Sequence, residues 1–222
     1  MTRHFGVLIP STNTTVEIEC RLLPATYQAH IGRLMTSTPG RTFAPSRDED
    51  IDYQSRLLGT AKVALVILAQ TSASHVAEDY DELVTRRMSE GAGVPAITSA
   101  QAIGRAVRAL GARHIAIVSP YSEKVNQRAG RYFAEKHGLD TVAVEGFGAT
   151  DSYAIGQLDP ENARNAFARI DRPEIEDSGQ HEVLNWFCLL GAMEELGRKP
   201  DRSTFIETWA FVSPVVFAYY MP

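Results

Sequence analysis

The sequence predicts an α/β protein built on parallel β-sheet. Three apolar runs carry that expectation: His4-Phe-Gly-Val-Leu-Ile-Pro-Ser-Thr-Asn13, Val63-Ala-Leu-Val-Ile-Leu-Ala-Gln-Thr-Ser-Ala-Ser74 and His114-Ile-Ala-Ile-Val-Ser-Pro-Tyr121. Each is apolar on both faces, as a strand covered by helices on both sides must be, and each ends in small polar residues. Segments with helical periodicity separate them, so strands alternate with helices over most of the length. In open α/β sheets, ligands bind at the carboxyl ends of the strands. The Ser, Thr, Asn, Gln and Tyr residues at these ends therefore outline a pocket for a small polar molecule.

After the first strand, Thr14-Thr-Val-Glu17 has capping-box spacing and opens a helix that stops before Pro24. A second strand is expected over Ala29 to Thr36. Thr38 to Ser46, rich in Pro, Gly, Ser and Thr, reads as a loop that could act as a lid. The acidic stretch from Arg47 to Tyr53 begins a helix to about Gly59. The strand ending at Ala69 leads into helical sequence to about Glu90, then a short strand near Ile97. Ser99 to Leu110 is helical, with Ile103, Val107 and Leu110 on one face and Gly111 at the C-cap. A strand at Ile115 to Val118, a helix from Ser122 to His137 stopped by Gly138, and a strand at Thr141 to Val144 follow. Asp159-Pro-Glu has the N-cap and N1 proline of another helix. Val183 to Leu190 fits either strand or helix, and Pro214 to Pro222 is expected to be a closing strand or to pack on a neighbour.

Composition narrows the class. The chain has 222 residues, 44% of them hydrophobic and 22% charged, which suits one large or two small globular domains. A net charge of −5 without charge blocks favours neither nucleic acid nor an anionic membrane as partner. No apolar run reaches the about 18 residues of a membrane span. With a strand at the very start there is no signal peptide, so a cytoplasmic location is expected. The two cysteines, Cys20 and Cys188, are far apart and the six histidines are scattered, which argues against a disulfide and against zinc. The apolar carboxyl terminus hints at a homodimer.

Several motifs, taken in order, resemble the aspartate/glutamate racemase superfamily, in its branch of maleate cis-trans isomerases and arylmalonate decarboxylases. They are Ile9-Pro-Ser-Thr-Asn-Thr-Thr-Val-Glu17, Thr71-Ser-Ala-Ser74, Gly93-Val-Pro-Ala-Ile-Thr-Ser99, Ala106 to Gly111 and Ile117-Val-Ser-Pro-Tyr-Ser-Glu-Lys-Val-Asn126. The similarity runs from about Phe5 to Ile170. It implies two similar Rossmann-like lobes with parallel sheets, related by pseudo-twofold symmetry, with the active site between them. The expected division is 1–98 plus about 198–222 for the first lobe and about 99–197 for the second. The resemblance also implies a small carboxylate or dicarboxylate ligand, and catalysis without metal or organic cofactor. In the isomerases two cysteines face each other across the substrate, whereas the decarboxylases keep only the second, which protonates an enediolate after carbon dioxide leaves.

This chain departs from that pattern at Gln70, which stands where the first family cysteine immediately precedes Thr71-Ser72. An amide forms no thioether and is no base near neutral pH, although it can donate hydrogen bonds to a carboxylate. Single-acid, decarboxylase-like chemistry is therefore favoured. Cys188 matches the second cysteine if Val183 to Leu190 is the last strand of the second lobe, whereas ungapped counting places His181 or Glu182 there. A thiol of ordinary pKa, about 8.5, suits an acid.

Ser11, Asn13, Gln70, Thr71, Ser72, Tyr121, Asn126 and Ser152 are the candidate carboxylate-binding residues, Ser152 lying near the position of a missing family Asn. Five of them also have a plainer reading: helix cap for Asn13, Thr71 and Ser72, core packing for Tyr121, surface for Asn126. Cys20 reads as structural, Arg33 as carboxylate partner or structural ion pair, His75 as a surface residue, and Trp186 and Trp209 as packing residues. Two alternatives to the decarboxylase stand: an isomerase or racemase with altered catalytic residues, and an inactive dicarboxylate-binding protein.

Overall fold

The structure, a computed structural model, describes residues 2–37, 43–149, 151–158, 202–206 and 215–219. A four-stranded parallel sheet organises the amino-terminal part: β1 (Arg3–Pro10), β2 (Tyr27–Leu34), β3 (Val66–Leu68) and β4 (Ala96–Thr98), in the order β2-β1-β3-β4. The helices are α1 (Val16–Cys20), α2 (Asp48–Thr60), α3 (Thr71–Ser74), α4 (Tyr80–Ala92), α5 (Ser99–Ala109), α6 (Glu123–His137) and α7 (Ser152–Gly156).

β1 carries no polar side chain from Phe5 onward because both its faces are covered there. Leu8 joins Leu34, Val66 and Leu68 in a core with Ile51 and Leu58 of α2 and Val84 and Met88 of α4. Its neighbours Val7 and Ile9 alternate to the other face and pack with Val16 of α1 and Ala69. Fully burying a Leu or Ile side chain contributes roughly 1.5–3 kcal/mol. Gly59 lets α2 and α4 touch, since a Cβ there would stand 2.7 Å from the Ala92 carbonyl oxygen.

A second parallel pair, β5 (His114–Ser119) with β6 (Asp140–Gly146), covers a separate core. Ala100 of α5, Ala129, Tyr132 and Phe133 of α6, Ile117 and Leu139 fill it. α6 ends where Gly138 takes φ +63°, a left-handed conformation that glycine adopts without strain. β7 (Arg202–Ile206) and β8 (Val215–Tyr219) pair antiparallel. Among the described residues, no helix is long and apolar enough to cross a membrane.

The differences from expectation are local. β2 starts and ends two residues early because it pairs along the whole of β1, from Arg3 opposite Tyr27, and Thr36 bridges Ser46 instead. The run from Val63 yields only three strand residues. The helix expected up to Glu90 is broken between α3 and α4, where His75 turns into the interior. Leu110 caps α5 and is 59% exposed, so the apolar face ends at Val107. The Thr14–Glu17 capping box does not form, and α1 is a five-residue helix. Residues 152–156, for which the sequence marks no element, form α7, whose N-cap Asp151 accepts a hydrogen bond from the Ala154 amide at 2.9 Å. The closing strand at 215–219 pairs with β7, an antiparallel partner the parallel pattern did not predict. Residues 38–42, the helix expected at Asp159, and His181, Glu182, Trp186, Cys188 and Trp209 lie outside the described residues.

Candidate functional site

A cavity of about 300 Å³ opens at the carboxyl ends of β1, β2, β3 and β5. It brings together Ser11, Asn13, Gln70, Thr71, Ser72 and Tyr121, six of the residues singled out from the sequence. The parallel topology does this, because every βα connection of such a sheet emerges at the same edge.

The β1–α1 turn is held from two sides. Ser11 donates its amide to the Leu34 carbonyl at 2.7 Å. Arg33, at the end of β2, donates to the carbonyls of Ser11 (3.0 Å) and Asn13 (2.9 Å) and pairs with Glu17 at 3.0 Å. Of its two expected roles, the structural ion pair is the one formed. The Asn13 side-chain oxygen accepts from the amides of Thr15 (3.1 Å) and Val16 (3.0 Å), so Asn13 caps α1. Capping uses only the oxygen, and the Asn13 amide NH₂ remains a donor at the cavity wall.

After β3, Thr71 and Ser72 form the first turn of α3, and both are buried. The Thr71 hydroxyl shares a 2.7 Å hydrogen bond with Ser99, which fixes its rotamer. Gln70 is 7% exposed, and both ends of its amide are engaged. Its NH₂ donates to the Ala44 carbonyl and its oxygen accepts from the Ser46 hydroxyl, each at 2.8 Å.

Tyr121 follows β5. Burial raises its phenol pKa, partly offset by a hydrogen bond with Ser72, so at neutral pH the phenol is a proton-bearing donor. Its amide donates to the Ser119 hydroxyl at 3.0 Å, and that hydroxyl donates to the Asn126 side-chain oxygen at 2.5 Å. Asn126 is 1% exposed and lies outside the cavity lining. It is neither a surface residue nor a lining residue, but the end of a relay behind Tyr121. Ser152 opens α7, whose neighbours Asp151 and Ile155 line the cavity.

The lining divides into neutral donors and an apolar wall that includes Val16, Leu34, Phe43 and Ile155. Among the described lining residues none is Lys, Arg or His, and Asp151 adds a carboxylate. A bound anion would meet hydroxyls and amides rather than a cation. No group of three or more His, Cys, Asp or Glu stands ready to hold a metal among the described residues. His75, expected at the surface, is instead 8% exposed, against Tyr132 and Phe133 and away from the cavity. Burial, with Arg128 nearby, pushes its pKa down to about 4. Cys20, the last residue of α1, packs against the core, and burial lifts its thiol to about 11, aided by Glu19 and Glu17.

Sequence reasoning missed Phe43, Ser46, Ser99 and Asp151. Ser99 had a readable signal, because Thr98-x-x-Gln101 forms a full capping box that fixes the start of α5 beside Thr71. Phe43 and Ser46 had none, since loop residues carry no periodicity.

Comparison with known proteins gives concordant matches. The family model described as arylmalonate decarboxylase matches residues 6–177. The maleate isomerase of Geobacillus stearothermophilus is 26% identical over 182 residues, 72% of this chain and 70% of that protein. The arylmalonate decarboxylase of Bordetella bronchiseptica is 30% identical over 152 residues, 68% of this chain and 63% of that protein. The structure of Nocardia farcinica maleate cis-trans isomerase bound to TRIS superposes with a TM-score of 0.65 at 22% identity, covering 76% of this chain and 73% of that one. That likeness shows a common two-lobed α/β fold.

Proposed function

The chain belongs to the arylmalonate decarboxylase family, and from that premise we propose that it is a cofactor-independent lyase for a small malonate-like dicarboxylate. The observation that carries this reading is the cavity itself, in which the donors Thr71, Ser72 and Tyr121 share one space with an apolar wall. The first lobe, 1–98 with about 198–222, would supply the β1 and β3 ends. The second, about 99–197, would supply Tyr121 and the acid.

In this reading the retained carboxylate accepts hydrogen bonds from Thr71, Ser72, Tyr121 and the Asn13 amide. The departing carboxylate lies against Val16, Leu34, Phe43 and Ile155, where poor solvation favours its loss as neutral carbon dioxide. The electron pair of the broken C–C bond moves onto the retained carboxylate, giving an enediolate whose charge the same donors hold. The Cys188 thiol then gives its proton to the carbon and takes another from solvent. His181 is the other candidate for that role. With Gln70 in place of the first family cysteine, no thiol stands at the opposite face.

The maleate isomerases among the relatives favour a second reading, cis-trans isomerisation with altered catalytic residues. One experiment separates them: carbon dioxide release from a malonate panel and maleate-to-fumarate conversion, using wild type, Cys188→Ala and His181→Ala. Decarboxylation abolished by Cys188→Ala supports the proposal. Fumarate without carbon dioxide supports the isomerase. No turnover by wild type, with thermal stabilisation by a dicarboxylate, supports a binding protein and overturns both.

A further inference from the structure

We infer that Gln70 acts as a latch, fastening the segment Phe43–Ser46 across the cavity so that Phe43 backs the Tyr121 phenol. At this position the resemblance to the maleate isomerases implies a reacting thiol, which the decarboxylases lack. In this chain the side chain is buried, with both ends of its amide tied to the strap at 2.8 Å. The bonds also fix the amide orientation, because a carbonyl can only accept and therefore meets the NH₂. Ala44 and Ser46 are correspondingly buried, at 4% and 3% exposure.

The strap has a second fastening on its other side. Thr36 bridges Ser46 antiparallel, the Ser37 amide donates to the Pro45 carbonyl at 2.8 Å, and the Arg47 amide donates to Met35 at 2.9 Å. Held between these anchors, Phe43 keeps a left-handed backbone with φ +57°, an uncommon conformation for a bulky residue. The outcome is an edge-on contact of the Phe43 and Tyr121 rings, centroids 5.0 Å apart. Tyr121 in turn hydrogen-bonds Ser72. Gln70 is thus a positioning residue that acts on the donor set through the strap, rather than a donor to substrate. The link to catalysis rests on the proposed lyase reaction, whereas the latch does not.

The test is amide hydrogen exchange over residues 43–47, alongside global melting and turnover of phenylmalonate. Gln70→Leu should speed exchange in this segment by about tenfold or more, the loss of two buried hydrogen bonds, with the melt still cooperative. Adding Ser46→Ala to it should change little further, because its partner is already gone. Gln70→Glu should loosen the strap at pH 8, where a carboxylate offers the Ala44 carbonyl no donor. It should tighten it again as the pH falls, because burial at this position raises the carboxyl pKa and the acid form does offer a donor, after correction for intrinsic exchange. If Gln70→Leu does not fold, Ser46→Ala and Gln70→Glu give the same readout. Segment exchange within twofold of wild type in every folded variant overturns the latch whatever the turnover. A loosened strap in a protein that never turns over phenylmalonate upholds the latch and counts against the lyase.

Discussion

His75 should make the fold acid-sensitive in a defined window. Its ring is wedged against Tyr132 and Phe133 of α6, centroids 5.1 and 6.0 Å away, and neither ring nitrogen has a hydrogen-bond partner. Protonation would place a charge in that apolar contact beside the Arg128 guanidinium, which is why the pKa falls to about 4 from 6.5. The sign follows from linkage. Between those values the unfolded chain holds a proton that the folded chain rejects, so folding loses stability as pH drops through the window. The contribution is fully present above about pH 6.5. Because the ring is 8% exposed, solvent screens little of it. Lowering the pH from 7.5 to 4.5 should then remove about 2–3 kcal/mol through this residue alone. Urea denaturation of wild type and His75→Phe across that range measures it, since phenylalanine keeps the aromatic contacts and cannot titrate. Carboxylates and His137, whose pKa burial also lowers, affect both proteins alike and cancel in the difference. Parallel stability curves for the two proteins would refute the reasoning.

Two further substitutions probe the site, and a labelling experiment probes the core beside it. Gly146→Ala places a Cβ 2.4 Å from the Tyr121 carbonyl oxygen and 2.5 Å from the Asn126 amide nitrogen, so backbone must move. Chemical denaturation should show a loss of about 1–3 kcal/mol, with weaker malonate binding by calorimetry. Arg33→Met removes a half-exposed ion pair that contributes little, about 0–1 kcal/mol, yet it frees the Ser11 and Asn13 carbonyls. The melting temperature should barely shift while malonate affinity drops several-fold; an unchanged affinity would detach the β1–α1 turn from the site. Cys20, with its thiol lifted to about 11, should resist iodoacetamide at pH 8 in a Cys188→Ala background, as mass spectrometry after timed labelling would show.

Where burial on both faces dictated the residues, the sequence was legible. β1 and β5 announced themselves because Val7, Leu8 and Ile9, and Ile117 and Val118, face opposite layers and must all be apolar. The helix stops at Gly111 and Gly138 were legible too, because each takes a positive φ. His75 was not, since a histidine next to Glu78 and Asp79 reads as exposed, and only the packing of α6 against α3 buries it. Asn126 shows a subtler limit. Its position in the Ser119–Tyr121 relay depends on β6 bringing Gly146 alongside, a contact twenty residues away in sequence. The hydrogen-bonding residue types at the strand ends marked where a ligand would bind, while the division of labour among them, donor, cap or latch, is decided by tertiary neighbours.

The lack of a cation among the described lining residues bears directly on the proposed reaction. A cation beside the departing carboxylate would stabilise the substrate dianion more than the transition state, where that charge is leaving, and would slow the step. Arg33 is the guanidinium hydrogen-bonded to the Ser11 and Asn13 carbonyls, and its charge is directed to them and to Glu17 instead of to the apolar wall. At the other end, hydroxyl and amide donors suit an enediolate, whose charge is spread over two oxygens and gains from several aligned dipoles in a site shielded from water. Asp151 at the rim works in the same direction, because its negative charge disfavours a second carboxylate more than it disfavours the neutral carbon dioxide that forms from it. Placing a lysine at Ile155, the partly buried residue of the apolar wall on α7, should therefore tighten malonate binding and lower kcat together. If Ile155→Lys tightened binding and left kcat unchanged, ground-state destabilisation at that wall would not be part of the mechanism.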